Sequence, residues 1–154
     1  MLSRTLLSIA LLSGSLLSGC GPKKVEIDET TTDPKTLFEF GVQALQSPDR
    51  QGNINYDGAY EAFMRSVQSK PSPRAHYNAG WVAQKLGKYT DAERHYEAAV
   101  QLDKADKTAL IALADMLIEA GRPMEAVEFY DQYLQGSPKD HDMRNSLAEA
   151  LNTA

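Results

Sequence analysis

Apolar residues recur along most of this chain at the spacing of helices. Leu37, Phe40, Gly41 and Ala44 form one stripe at intervals of three and four, and Leu110, Leu113, Ala114 and Leu117 form another. No segment alternates apolar and polar residues as a half-buried strand does, so the pattern predicts an all-α protein with essentially no β-structure. Stops and starts divide the pattern. Asp33-Pro34 and Ser72-Pro73 each set a capping side chain before a proline at the first helical position. Gly87, Gly121 and Gly136 suit left-handed helix ends. The predicted helices are 34–46 with 54–69, 73–86 with 89–103, and 107–120 with 123–135, three antiparallel pairs. A shorter helix follows over about 140–152.

The pattern also repeats. Gly87, Ala92 and Tyr96 return 34 residues later as Gly121, Ala126 and Tyr130, and an acid precedes each alanine. Tyr56, Ala59 and Phe63 stand 33 residues before Tyr89, Ala92 and Tyr96. A period of 33 to 34 is the length of a helix–turn–helix solenoid unit. Gly41, Gly80 and Ala114 on the first helices, with Ala59, Ala92 and Ala126 on the second, would let paired helices approach closely. Phe63, Tyr96 and Tyr130 would then fill the space between neighbouring units. The first helix of the first unit lies 39 residues before its counterpart, which locates a six-residue insertion near 47–53. The last helix, with Leu147, Ala148 and Leu151 inward, reads as a solubilising cap.

This pattern resembles the tetratricopeptide repeat. The best unit runs from Ala75-His76-Tyr77-Asn78-Ala79-Gly80-Trp81 through Leu86-Gly87-Lys88-Tyr89 to Ala92, Tyr96, Ala99, Leu102 and Asp103. It departs from the family pattern at Lys104, where proline is usual. The third unit has Ala114 for glycine and Tyr133 for alanine, and the bulk of Tyr133 suggests altered packing against the final helix. The resemblance covers about 34–140. It implies a short right-handed solenoid of three helix pairs with a C-terminal cap, in repeats of about 34–72, 73–106 and 107–140 with the cap at 141–154.

In that family the first helix of each pair lines a concave, protein-binding groove. Spacing places Tyr77, Trp81 and Gln84 on that face of the second unit. The equivalent positions are Phe38, Val42 and Leu45 in the first unit and Ile111, Asp115 and Ile118 in the third, with Asn78, Lys85 and Glu119 around them. Some members grip a peptide's terminal carboxylate with Lys, Arg and Asn. The matching positions here hold Phe38, Val42, Asn78, Thr108 and Ala112, so only Asn78 fits that mode. An apolar groove suits an amphipathic helix or an extended hydrophobic segment instead. Its other possible covers are the chain's own tail, the segment before the first helix, or a second copy of the protein. Trp81 is the leading candidate for a binding hot spot.

The N-terminus differs from all of this. Arg4 precedes an apolar stretch of about a dozen residues, too short to span a hydrocarbon core that needs ~20, so 1–19 reads as a secretion signal. It ends in Leu17-Ser18-Gly19-Cys20, which resembles the lipobox of bacterial lipoproteins. That resemblance implies cleavage before Cys20 and a covalent lipid on its thiol. The alternative is an ordinary signal peptide with an incidental cysteine. Gly21 rather than aspartate after the cysteine matches the outer-membrane default, facing the periplasm, if the source has an outer membrane. From 21 to 33 the chain is polar, with Val25 and Ile27 its only sizeable apolar residues, and reads as a tether. Thirteen extended residues reach up to roughly 40 Å at ~3.1 Å each.

Composition and chemistry narrow the function. The net charge is −5, and removing the leader takes away Arg4 and no acid, which argues against a nucleic-acid partner. His76, His95 and His141 stand far apart without a second ligand at metal spacing. His76 falls on the inward side of its helix and His95 on an outer face. There is no GxSxG elbow and no phosphate-binding glycine loop. The expectation is a non-enzymatic, membrane-anchored scaffold without cofactor or metal, holding protein partners in the bacterial envelope. Similar repeat lipoproteins assemble pilus secretins, outer-membrane machines and motility complexes, and others tether peptidoglycan-processing enzymes. A self-assembling structural protein is the other class of reading.

Overall fold

The computed structural model describes residues 30–154. The leader, Cys20 and the tether up to residue 29 lie outside these residues. Seven helices follow one another: α1 (Pro34–Gln46), α2 (Tyr56–Ser69), α3 (Pro73–Lys85), α4 (Tyr89–Leu102), α5 (Lys107–Glu119), α6 (Pro123–Gly136) and α7 (His141–Thr153). The described residues contain no strand. The main packing is always between consecutive helices, as in a solenoid whose units touch only their neighbours.

Local signals set the ends. The Asp33 carboxylate accepts from the Thr36 N–H, the Ser72 hydroxyl from Ala75 and the Asp106 carboxylate from Thr108 and Ala109. The second helix begins at Tyr56, two residues later than its periodicity predicts, because the Asn55 side chain caps Gly58. Gly87 and Gly121 close α3 and α5 at φ of 73° and 74°. Gly136 differs from expectation. It is the last residue of α6 and does not have positive φ, since the chain there passes on through Ser137. The 47–53 insertion forms its own turn. Asp49 accepts from the Gln51 and Asn53 N–H groups at 2.8 and 2.9 Å, with Gly52 at φ 87°.

The core follows the small-residue positions. A Cβ on Gly41 would meet the Phe63 ring at 2.6 Å, and one on Gly80 would meet the Tyr96 ring at 2.9 Å and the Ala92 carbonyl at 3.2 Å. Phe63 and Tyr96 therefore press on the first helices of their own hairpins, and they also join the apolar clusters that link each unit to the next, as their spacing suggested. One apolar cluster joins the first two units around Ala59, Phe63, Ala79 and Val82. The other runs from Tyr96 through Leu110, Leu113 and Leu117 to Tyr130, Tyr133, Met143 and Ala150. Burying each large side chain contributes ~1.5–3 kcal/mol.

Polar contacts pin the neighbours. Arg122 reaches from the third unit to Glu93 at 2.6 Å and also pairs with Glu125. Tyr133 is buried and donates its hydroxyl to Asp140 at 3.0 Å, and Lys107 pairs with the same carboxylate. Its bulk thus reaches the start of α7. On α7 the inward stripe is Met143, Leu147 and Ala150, while Ala148 and Leu151 are exposed. The sequence expectation had this register wrong by about one position. At ~3.6 residues per turn Leu151 falls on the flank of the Met143–Ala150 stripe.

Candidate functional site

The first helices of the three pairs carry the predicted groove residues, and the fold puts most of them half in and half out of the core. Phe38 on α1 sits 5.3 Å from the Phe63 ring, with the Arg74 guanidinium 4.8 Å over it. Val42 and Leu45 are half-buried against the first apolar cluster. Phe38, Val42 and Arg74 share an open depression of about 720 Å3 with Lys35, Glu39 and Gln43 on α1.

On α3, Trp81 packs against both apolar clusters and lies 6.1 Å from Tyr56 of the first unit. Its free side carries the Lys85 ammonium 5.4 Å from the ring. Tyr77 rests 5.7 Å from Tyr96, whose hydroxyl donates to Gln84 at 3.2 Å. The Asn78 amide is taken up by its own helix, donating to the Arg74 carbonyl at 2.7 Å. On α5, Ile111 is 39% exposed, Asp115 is exposed and Ile118 is half-buried. Ile118 also lines a different depression, of about 410 Å3, with Met124 and the start of α6. Burial, and then the neighbouring Glu119, raise the Asp115 carboxyl above its ordinary value.

The chain just before α1 does not cross this face. Arg65 donates to the Thr31 carbonyl at 2.7 Å, Ser69 to that of Thr32 and Ser66 to that of Pro34 at 2.8 Å. Residues 31–34 thus lie on α2, a second helix of its pair.

Beneath the groove is a pair that spacing assigned differently. His95 is 4% exposed, against the expectation of an outer face. A middle helix of a solenoid is covered on more than one side. His95 meets His76 of α3, Nδ1 to Nδ1 at 3.1 Å, and the Tyr60 edge of α2. One nitrogen of the pair must donate to the other. His95 Nε2 has no hydrogen-bond partner, and burial followed by the His76 charge holds the His95 imidazole down at about 4. Burial lowers His76 as well. Among the described residues no three His, Cys, Asp or Glu side chains are grouped to hold a metal.

Residues 77–141 match the tetratricopeptide-repeat family model. The described helices have the tetratricopeptide-repeat fold. Among curated proteins, the chain is 25% identical over 123 residues to the type IV pilus assembly protein PilF of Pseudomonas aeruginosa, covering 70% of this chain and 49% of that protein. The chain thus spans about half the length of the curated relative it matches. Among solved structures, TTC0263, a thermophilic tetratricopeptide-repeat protein of Thermus thermophilus, superimposes with a TM-score of 0.61 at 26% identity, over 79% of this chain and 66% of that one. The first repeat domain of Spaghetti (RPAP3), solved bound to the HSP90 peptide SRMEEVD, gives 0.59 at 21% identity, over 78% and 94%. Beside the predicted groove residues Phe38 and Val42, the structure sets two side chains that sequence reasoning left out, Arg74 and Lys35. Arg74 lies one turn before Tyr77, and Lys35 holds the equivalent place before Phe38. The signal was present in the spacing, hidden because long cations on a helix usually mark solvent.

Proposed function

We propose that this chain is a membrane-anchored adaptor of the bacterial envelope, held by a lipid on Cys20, that binds a protein segment along the face formed by α1, α3 and α5. One observation carries the reading. The first helices carry aromatic and aliphatic side chains at matching repeat positions, Phe38, Val42, Tyr77, Trp81 and Ile111, and none of them is fully buried. The likeness to a pilus assembly protein favours a part in assembling a pilus or a related secretion or outer-membrane machine. On this reading Trp81 and its neighbours grip the partner, the polar segment lets the domain stand off the membrane, and the chain acts by binding with no chemistry of its own.

The test is affinity capture from bacterial envelope extract with the full chain, beside Trp81→Ala and Ile111→Asp. Ile111 is a control for folding, since it is already exposed while Trp81 also serves the core. A partner held by the parent chain and lost by both variants supports the groove. Equal capture by the folded Ile111→Asp chain and the parent moves the interface elsewhere. A Cys20→Ser chain released from membranes by washing supports the anchor, and one that stays bound rejects it.

A further inference from the structure

The charges along the groove are sorted. In the first unit Lys35 and Glu39 satisfy each other at 3.9 Å. In the second, the groove side carries Arg74 and Lys85, each set over an aromatic ring, and neither has an acidic partner among the described residues. In the third it carries Asp115 and Glu119, one helical turn apart, and neither has a basic partner among the described residues. Two like charges at that spacing repel each other. A basic, aromatic middle therefore stands beside an acidic, aliphatic end.

We propose that the groove reads charge order: its occupant is a protein segment that sets an apolar side chain against Phe38, Val42 and Trp81, a carboxylate at Arg74 and Lys85, and a lysine or arginine against Asp115 and Glu119. This deepens, and rests on, the adaptor reading above. Each requirement matches an unfilled one in the protein. The half-buried aromatics gain burial, the two cations gain a carboxylate, and the two acids gain a cation. A second copy of the chain also carries both charges, and the Arg74→Glu variant separates that occupant from a partner segment. An acidic or a basic polymer satisfies only one half.

Trp81 is the single tryptophan, so its fluorescence reports this face alone. The experiment titrates the full chain with twelve-residue peptides sharing a Leu–Phe core. Two carry glutamates at one end and lysines at the other, in both orders. A third has glutamine at all charged positions, and a fourth has glutamate at both ends. At low salt the better charge-split peptide is expected to shift Trp81 emission at least tenfold more tightly than the glutamine peptide, with most of that gain lost at high salt. Asp115→Lys with Glu119→Lys is expected to transfer the preference to the peptide with glutamate at both ends. Arg74→Glu, at an exposed position, weakens the charge-split peptide from the other side and serves if the double variant fails to fold. Equal binding of split and glutamine peptides overturns the charge inference and leaves the groove reading intact. No shift with any peptide overturns both. A concentration-dependent dimer that Arg74→Glu dissolves assigns the face to a second copy and overturns the proposal.

Discussion

The second and third units are nearly the same length, carry the same glycine-closed turn and share one family pattern, yet they are filled differently. In the second, Gly80 lets the Tyr96 ring lie against the backbone, and the buried His95 meets the half-buried His76. In the third, Ala114 stands in the glycine's place, and Leu110, Leu113 and Leu117 make an aliphatic interior with Tyr130 and Tyr133. The groove above each follows suit, aromatic and basic over the second unit and aliphatic and acidic over the third. A repeat thus dictates where helices run, while the unit's own side chains decide what its interior tolerates and what its face attracts.

The largest expected effect breaks the third unit. Leu113 is fully buried, and Leu113→Ala leaves a cavity that costs about 2–5 kcal/mol, read as a fall in the denaturant midpoint. An unchanged midpoint would mean that the aliphatic interior collapses to fill the space, so that it is less rigid than its burial implies.

Acid separates the two units next. The His95 value is depressed in the folded chain, so between pH 6.5 and about 4 the unfolded chain binds more protons and stability rises with pH. Lowering the pH through that window removes stability on the order of 3 kcal/mol from this site. His95→Phe is expected to flatten that part of the stability–pH curve. Amide exchange at acid pH should loosen α3 and α4 before α5. If α5 opens first, or the variant keeps the full slope, the buried pair is not the acid-sensitive element.

Overpacking sharpens the contrast in glycine use. Gly80→Ala forces apart the Tyr96 ring and the Ala92 carbonyl and is expected to cost about 1–3 kcal/mol in thermal or chemical unfolding. The nearest atoms to a Cβ on Gly41 all belong to the Phe63 ring. That ring can shift, so the smaller loss is expected at Gly41. The reverse order would place the stiffer packing in the first unit. The smallest effect concerns the link between units. Arg122→Ala removes the pairs with Glu93 and Glu125, and its slight drop in melting temperature should vanish in high salt, as exposed ion pairs are screened. A salt-independent loss would assign Arg122 a packing role instead.

The legibility of this protein falls off from backbone to face to partner. Helical periodicity, proline after a capping side chain, and the glycines at 87 and 121 are local signals. They were enough for seven helices. The register of α7 was not legible, because Leu147, Ala148 and Leu151 offer a stripe as plausible as the one through Met143 and Ala150. His95 was misjudged because a helical wheel shows one buried face, whereas a helix with units on either side has two.

By itself the sequence determined what depends on neighbours along the chain: the helices, their turns and the period of the repeat. Only the tertiary structure decided what depends on neighbours in space. It brought His76 against His95, laid Arg74 over Phe38 and Lys85 over Trp81, and left Asp115 and Glu119 without a basic partner among the described residues. Backbone hydrogen bonds and dihedral preferences act over a few residues, so they can be read in order. Burial and electrostatics act on whichever groups the solenoid stacks together, and that meeting is set by packing across units.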